Sequence, residues 1–263
     1  MTTVGDILKF VETLAPRSMK MEWDNVGLLC GSKGQTVTHC LIALDPFEGV
    51  CREAVETGAE MILTHHPLIF SPLKNITDET SIGRSVQLLC RYGISAVNAH
   101  TNLDCAPDGV NDVLARKLGL TDIRVIAPSG TDEEGREWGL LRCGYVQEQA
   151  LSRFLPQVKE ALGSKGLRYV NGGKTVRKVA VGGGSCAGEM MDAIGAGCDT
   201  FVTADVKYNQ FWGAHDLGLN LIDAGHFATE DPVTGYLKEK LSAAFPEVEF
   251  LISGTHRDCM EFF

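Results

Sequence analysis

The sequence lacks the features that define three common classes of protein. It has no Cys-x-x-Cys pair among its nine cysteines, no run of basic residues and no apolar stretch near the length of a membrane span. A formal net charge of -10 argues against a protein that binds the phosphate backbone of nucleic acid. The odd number of cysteines suits reduced thiols, and the first residues do not resemble a signal peptide. We therefore expect a cytoplasmic protein that does not bind a membrane.

The composition is that of an ordinary globular protein. With 263 residues, of which 44% are hydrophobic, the chain can bury one large core or two smaller ones. After an amphipathic helix at Val4 to Leu14, strand patterns at 39–44, 61–64 and 94–98 alternate with helix patterns at 47–57 and 81–92. This alternation predicts an α/β fold with mainly parallel sheets.

An internal repeat predicts that the fold has two similar halves. Residues 53–64 align without gaps on residues 192–203, and each copy reads as a helix followed by a strand. We place the first half at 1–124 and the second at 125–263, with no linker long enough to separate independent domains. Residues 121–173 have a different pattern and read either as a second subdomain or as an arm for oligomer contacts.

Histidines and acids follow the predicted strands. His65 and His66 end the apolar run that starts at Met61, and Pro67 favours departure from strand geometry there. Both imidazoles can instead be hydrogen-bonded core side chains. Further along, the pairs His100/Asp104 and His226/Glu230 each have a spacing of four residues.

A spacing of four places both side chains on one face wherever the segment is helical. For His226/Glu230 the alternative is an ordinary capped helix with one satisfied histidine. For His100/Asp104 a loop is as good an interpretation as a helix, because Asn102 and Pro107 are close by.

Imidazole and carboxylate groups together suit zinc, iron or manganese. Five or six such groups exceed what one tetrahedral ion needs, so they predict two ions. Two ions about 3.5 to 4 Å apart typically serve hydrolysis, because they acidify a bridging water and polarise the group it attacks.

Other polar residues allow two interpretations each. Asp24 and Asn25 line the site or shape a turn, with the turn slightly favoured. The glycine-rich segment Gly182 to Ser185 holds an anion or forms a tight strand-to-helix turn, again with the turn favoured. Asp205 and Lys207 contact substrate or form an internal ion pair.

Four motifs, in order along residues 20–231, resemble those of one family. They are Glu22-Trp-Asp-Asn-Val-Gly-Leu-Leu, Leu63-Thr-His-His-Pro-Leu-Ile-Phe, Ala99-His-Thr-Asn-Leu-Asp with Gly109-Val-Asn-Asp, and Asp205-Val-Lys-Tyr with Leu221-Ile-Asp-Ala-Gly-His-Phe-Ala-Thr-Glu. The chain is similar to the Nif-three-like dinuclear-metal-centre proteins, also called type-two GTP cyclohydrolase homologues.

The resemblance implies a fold, an assembly and a set of ligands. The fold has two interlocked, similar α/β halves, and the assembly is a toroidal homohexamer with metal sites facing an internal cavity. Two divalent ions would be held by His65, His66, Asp104, His226 and Glu230, with Glu230 as the bridge. His100 would be an adjacent acid-base group.

These observations predict a dinuclear, divalent-metal-dependent hydrolase of unknown small-molecule substrate. A metal-bridging hydroxide would be the nucleophile, and His100 and Glu230 would be the catalytic residues. GTP cyclohydrolase-like activity is less well supported, since cationic groups for a triphosphate are few. The alternatives are a non-catalytic metal-binding ring that acts as an adaptor or regulator, and metal storage or delivery.

Overall fold

The computed structural model describes residues 1–263 and confirms the α/β fold class. The α-helices are α1 Val4–Leu14, α2 Glu48–Glu56, α3 Ser81–Tyr92, α4 Thr101–Cys105, α5 Val110–Lys117, α6 Leu151–Leu162, α7 Met190–Gly195, α8 Tyr208–Asp216, α9 His226–Glu230 and α10 Pro232–Ala244. The strands are β1 Gly27–Cys30, β2 His39–Ala43, β3 Met61–Thr64, β4 Ser95–Asn98, β5 Thr121–Ile126, β6 Gly130–Thr131, β7 Glu137–Trp138, β8 Leu141–Gln149, β9 Arg168–Val170, β10 Val176–Val181, β11 Thr200–Thr203, β12 Asn220–Asp223 and β13 Glu249–Ile252. None of the helices combines the length and the apolar character needed to cross a lipid bilayer.

The chain forms two compact units. The first comprises Met1–Leu103 with Thr234–Arg257, and the second comprises Asp104–Val233 with Asp258–Phe263. The halves 1–124 and 125–263 stay a prediction drawn from the repeat in the sequence.

The first unit is built on a five-stranded sheet of order β1-β4-β3-β2-β13. Strands β13, β2, β3 and β4 are parallel, and β1 runs antiparallel to β4 at one edge. Every residue of β3 and β4 is buried, as expected for central strands covered on both faces. Ile62 and its neighbours in this sheet pack against Val50 of α2 and Leu89 of α3. Parallel pairing brings the carboxyl ends of β2, β3 and β4 to the same edge.

The second unit contains a six-stranded sheet of order β5-β8-β10-β11-β12-β9. Successive residues of each strand point to opposite faces, so Val179 packs with α5 and α6 while Ala180 packs with α7 and α8. Only β10, β11 and β12 are parallel; β5, β8 and β9 pair antiparallel. The expectation of mainly parallel sheets is therefore not confirmed for this unit, which has a mixed sheet.

The segment 121–173 supplies β5, β8 and β9 to this sheet. It is therefore not a separate subdomain, which corrects that interpretation of its sequence. Its contrasting pattern has a physical cause: these strands pair antiparallel, so they need no crossover helix between neighbours and do not alternate regularly with helices.

The repeated helix-to-strand segments form the same local structure. In the first unit α2 precedes β3, which pairs in parallel with β4; in the second α7 precedes β11, which pairs in parallel with β12. The last residues of the paired strands are in register in both cases, Thr64 with Asn98 and Thr203 with Asp223.

Candidate metal centre

Three histidines cluster at the carboxyl edge of the first sheet. His65 and His66 follow β3 directly, and His100 lies two residues beyond β4. The strand ends at Thr64 and the chain bends at the first two, where the Thr64 hydroxyl donates to His66 O at 2.7 Å. One ligating nitrogen from each of the three imidazoles lies within 4.8 Å of the others. Both residues of the His-His pair therefore face the same space, despite the alternation expected along a strand.

Each imidazole of this cluster is oriented through its Nδ1 atom. The acceptors are Ala99 O for His65 at 2.8 Å, Asp45 Oδ1 for His66 at 2.7 Å and Asp24 Oδ1 for His100 at 2.9 Å. A carbonyl or an ionised carboxylate can only accept, so Nδ1 carries the proton in each ring. In a neutral imidazole the lone pair is then on Nε2, the arrangement found in histidines that bind metals.

Asp24 holds His100 from a buried position. Its Oδ2 also accepts hydrogen bonds from the amide, at 3.0 Å, and the hydroxyl of Thr101. Burial alone would raise the pKa of this carboxyl, but the hydrogen bonds from His100 and Thr101 hold that pKa well below its ordinary range. Asp24 therefore stays ionised and orients His100, so it is more than the turn residue that the sequence slightly favoured. Asn25 has a different function, since its Nδ2 donates to Ile69 O at 2.7 Å and fixes the loop after His66.

In the second unit, Glu230 lies close to both His226 and Asp104. His226 and Glu230 begin and end the one-turn helix α9, and His226 Nε2 lies 3.0 Å from Glu230 Oε2. Asp104 lies in α4, so its segment is helical and not a loop. A carboxylate oxygen of Asp104 is within 4.8 Å of one from Glu230. Because both acids are at most 7% exposed, two adjacent carboxyl groups are held with little access to water.

His226 is oriented like the histidines of the first unit. Its Nδ1 lies 2.7 Å from Asp205 Oδ2. Asp205 has φ +52°, a left-handed conformation that Asp tolerates better than most residues. The structure thus gives Asp205 a role that the sequence did not suggest, as a partner for His226, and contact of Asp205 or Lys207 with substrate stays a prediction. Lys207 itself caps α8, where its amide donates to Gln210 Oε1 at 2.8 Å.

The glycine-rich segment packs against the acids. The amide of Gly183 donates to Asn111 Oδ1 at 2.7 Å and the amide of Gly184 donates to Thr229 Oγ1 at 3.0 Å. These two donors are used within the protein, which favours the tight turn over the anion site. Gly184 has φ +60°, and a Cβ there would overlap Glu230 Oε1 and approach His226 Nε2 to 3.0 Å. Glycine at this position therefore leaves room for the carboxylate of Glu230.

The thiol near these acids does not join the donor set. Burial raises the pKa of Cys186 well above its ordinary value, and the charges of Asp104 and Glu230 raise it further. Its Sγ donates to Gly183 O at 3.1 Å. Protonated sulfur is a poor ligand, so the available donors are imidazole nitrogen and carboxylate oxygen.

The structure thus contains His, Asp and Glu groups that can hold a metal ion. Imidazole nitrogen and carboxylate oxygen are suitable donors for divalent zinc, iron or manganese. The orientation of the imidazoles and the space that Gly184 leaves for Glu230 also fit a bound ion. The assignment of His65, His66, Asp104, His226 and Glu230 as ligands, and of His100 and Glu230 as catalytic residues, stays a prediction.

Sequence reasoning did not assign the orienting acids. Asp45 follows β2 at the same edge of the sheet at which His65 follows β3. This position just beyond a strand is the sequence feature that could have identified Asp45. Asp24 and Asp205 are named above as possible site residues, but the sequence does not pair them with particular histidines, because a single aspartate in a loop is as common in turns as at sites.

Comparisons with known proteins agree with the four motifs. A family model described as Duf34/NIF3 (NGG1p interacting factor 3) matches residues 2–258. A Clostridium perfringens protein named GTP cyclohydrolase 1 type 2 homolog is 35% identical over 261 residues, covering 98% of this chain and 99% of its own. A Streptomyces coelicolor protein of the same name is 35% identical, covering 88% and 83%.

The fold also matches solved structures. The crystal structure of a Bacillus cereus protein related to NIF3 superposes with a TM-score of 0.93 at 28% identity, covering 100% of this chain and 99% of that one. Together with the match to the family model, this shows that the chain belongs to the DUF34/NIF3 family.

Proposed function

We propose that this protein is a divalent-metal-dependent hydrolase that binds two ions through His65, His66, Asp104, His226 and Glu230. The observation that carries the proposal is the common orientation of four histidines. In His65, His66, His100 and His226 the Nδ1 atom is engaged by an oxygen that can only accept. Histidines that only pack in a core do not need a common Nδ1 hydrogen bond, whereas histidines that bind metals almost always donate their other ring N–H in this way.

The bound ions would supply an acidified water and a polarised substrate group. The residues of the chain have separate tasks. Glu230, 4% exposed and adjacent to Asp104, would supply negative charge that balances two cations. His100 would accept and return a proton, with Asp24 stabilising its charged form because the two side chains are 2.9 Å apart.

The relatives named GTP cyclohydrolase 1 type 2 homolog suggest GTP as a substrate. For this chain we rank that activity below an unassigned hydrolysis, because the amides of Gly183 and Gly184 donate within the protein and are not available for phosphate. The chief alternative remains a non-catalytic metal-binding ring that acts as an adaptor, a regulator or a metal store.

Elemental analysis and an activity screen test the proposal. Purified protein should contain about two divalent ions per chain, and Glu230→Ala should contain fewer. Metal-loaded protein screened against phosphoesters, amides and nucleotides should show turnover that His66→Ala abolishes. The matched control is His215→Ala, since His215 is a partly exposed histidine on α8 that pairs with Asp216 at 3.4 Å.

Three outcomes separate the candidate functions. A full metal count with no turnover on any substrate class supports the adaptor. Ions that exchange within minutes, again without turnover, support storage or delivery. A metal count that is the same in the native protein, Glu230→Ala and His66→Ala contradicts the ligand assignment.

The assembly and location are also proposals. The resemblance of the motifs supports a toroidal homohexamer, and native mass spectrometry should then give about six times the chain mass of 28.5 kDa. A monomer under the same conditions would contradict it. All nine cysteines are free thiols, which supports a reducing compartment such as the cytoplasm.

A further inference from the structure

Exposed aromatic side chains flank the histidine cluster of the first unit. Trp23 is 62% exposed and Phe70 is 51% exposed, and their ring centroids are 5.7 Å apart. The same two rings lie 6.2 and 6.3 Å from the ring of His100. Large apolar rings left in water beside polar catalytic groups are typical of a ligand-binding surface.

A pocket continues this aromatic surface. Its volume is about 180 Å³, and its walls include Phe47, Phe70, Ile82, His66 and Asp45. Phe47 and Ile82 are also more than a third exposed. The pocket therefore begins at one predicted metal ligand and extends along apolar side chains.

Hydrogen bonds hold the backbone next to Phe70. Asn25 Nδ2 donates to the carbonyl of Ile69, the residue before Phe70, at 2.7 Å. Asn98 Nδ2 in turn donates to Asn25 O at 3.2 Å, which ties this loop to the end of β4. Because the backbone of this part of the pocket wall is already held in place, binding a rigid ligand there has a smaller cost in conformational entropy.

We infer that this pocket holds one six-membered aromatic ring of the substrate, with the ring's polar substituent directed to the metal centre; the inference rests on the proposed function. An apolar cavity of about 150 Å³ accommodates one benzene molecule. The pocket here has a similar volume and opens to solvent, so it has room for one such ring. Asp45 in its wall disfavours a ring that carries negative charge.

Two metal-chelating probes that differ only in a ring test this inference. Benzohydroxamate and acetohydroxamate have the same chelating group, and calorimetry on zinc-loaded protein measures the affinity of each. We expect benzohydroxamate to bind about tenfold more tightly, as a stacked ring typically gives.

Substitutions locate the preference. Phe70→Ala, which removes an aromatic wall of the pocket, should bind the two probes with nearly equal affinity at unchanged zinc content, whereas Phe70→Tyr should keep the preference. The matched control is Tyr92→Ala, because Tyr92 is 56% exposed at the far end of α3 and does not line the pocket.

The outcomes distinguish this inference from the proposed function. Equal affinities in the native protein overturn the ring pocket and leave the metal centre intact. If neither hydroxamate binds the zinc-loaded protein, the proposed function fails and the inference fails with it. If Phe70→Ala changes the oligomeric mass but not the preference, the aromatic surface is covered by a second copy and the inference is wrong.

Discussion

The contact between His66 Nδ1 and Asp45 Oδ1 fixes the direction of a single ring. At 2.7 Å the carboxylate holds the proton on Nδ1 and makes Nε2 more basic. In the change Asp45→Asn the size of the side chain stays the same, but the charge is lost and the ring can adopt the other tautomer.

We therefore expect Asp45→Asn to weaken metal binding by about ten- to a hundredfold. Competition with a chelator of known affinity measures this change. Asp216→Asn is the control, since Asp216 is an exposed partner of His215 at 3.4 Å and contacts neither cluster. Equal metal affinity in the two variants would show that Asp45 does not orient a ligand.

Gly184→Ala tests the space around Glu230. The added Cβ would overlap Glu230 Oε1, so the carboxylate must move and metal content should fall. Alanine in a left-handed conformation also costs about 1 to 2 kcal/mol of stability. Gly197→Ala separates the two effects, because Gly197 has φ +75° and nothing within 4 Å of an added Cβ. Elemental analysis should show metal loss only in Gly184→Ala. Urea unfolding should show a lower free energy of unfolding in both variants, because both have alanine in a left-handed conformation.

The sequence identifies the histidines and names Asp24 and Asp205 as possible site residues, but it does not identify Asp45 or show which acid contacts which histidine. His65, His66 and His100 were recognisable because each follows a buried apolar strand, and that pattern is local. Asp24 contacts His100 across 76 positions of the chain, and only the fold determines that distance. Site residues that depend on such contacts cannot be predicted from one sequence.

The carboxyl ends of β3 and β4 determine where the histidines meet. At the amino ends of β2 and β3, Glu60 connects these two strands. Its carboxylate accepts from the amides of Thr38 and His39 at 3.0 and 2.8 Å, and from the Thr38 hydroxyl at 2.9 Å. Glu60 lies just before β3, and His39 begins β2. These bonds therefore help to hold β2 and β3 in register.

The pKa of Glu60 predicts how this stabilisation depends on pH. Burial would raise the pKa, but the hydrogen bonds from His39 and Thr38 lower it below its ordinary value. A pKa that is lower in the folded state adds stability above the unfolded value, about 4.3, and this stability is lost as pH falls through the folded value.

Glu60→Gln should therefore lower the free energy of unfolding at pH 7 by about 1 kcal/mol, a figure reduced for partial exposure. The loss should shrink as the pH falls below about 4. Urea unfolding at a series of pH values measures both effects. Glu56→Gln is the control, because Glu56 is an exposed residue of α2. A loss that is independent of pH would assign the effect to packing and not to charge.

At the scale of elements, alternation predicted β2, β3 and β4 with their helices because each crossover is local in sequence. The antiparallel strands β1, β8 and β9 were not predicted as partners of particular strands. Their pairing joins segments far apart in the chain, for example Leu221 of β12 with Val170 of β9. A short strand has too few residues for its hydrophobic pattern to specify which strand it pairs with.

For the whole molecule, metal binding and folding should be coupled. The predicted ligands are spread from residue 65 to residue 230, so an unfolded chain does not present them together. An ion that binds only the folded state at a hundred times its dissociation constant adds about 2.7 kcal/mol of stability. For a chain of this size that corresponds to a rise in Tm of about 5 to 10 °C.

Differential scanning calorimetry with and without a strong chelator tests this coupling. The native protein should lose at least about 5 °C of Tm when its metal is removed, and added zinc or manganese should restore it. Glu230→Ala should start from a lower Tm and respond only weakly to either treatment, whereas His215→Ala should behave like the native protein. If Glu230→Ala keeps the full metal-dependent rise, the stabilising ions bind elsewhere, and the assignment of Glu230 as a metal ligand is wrong.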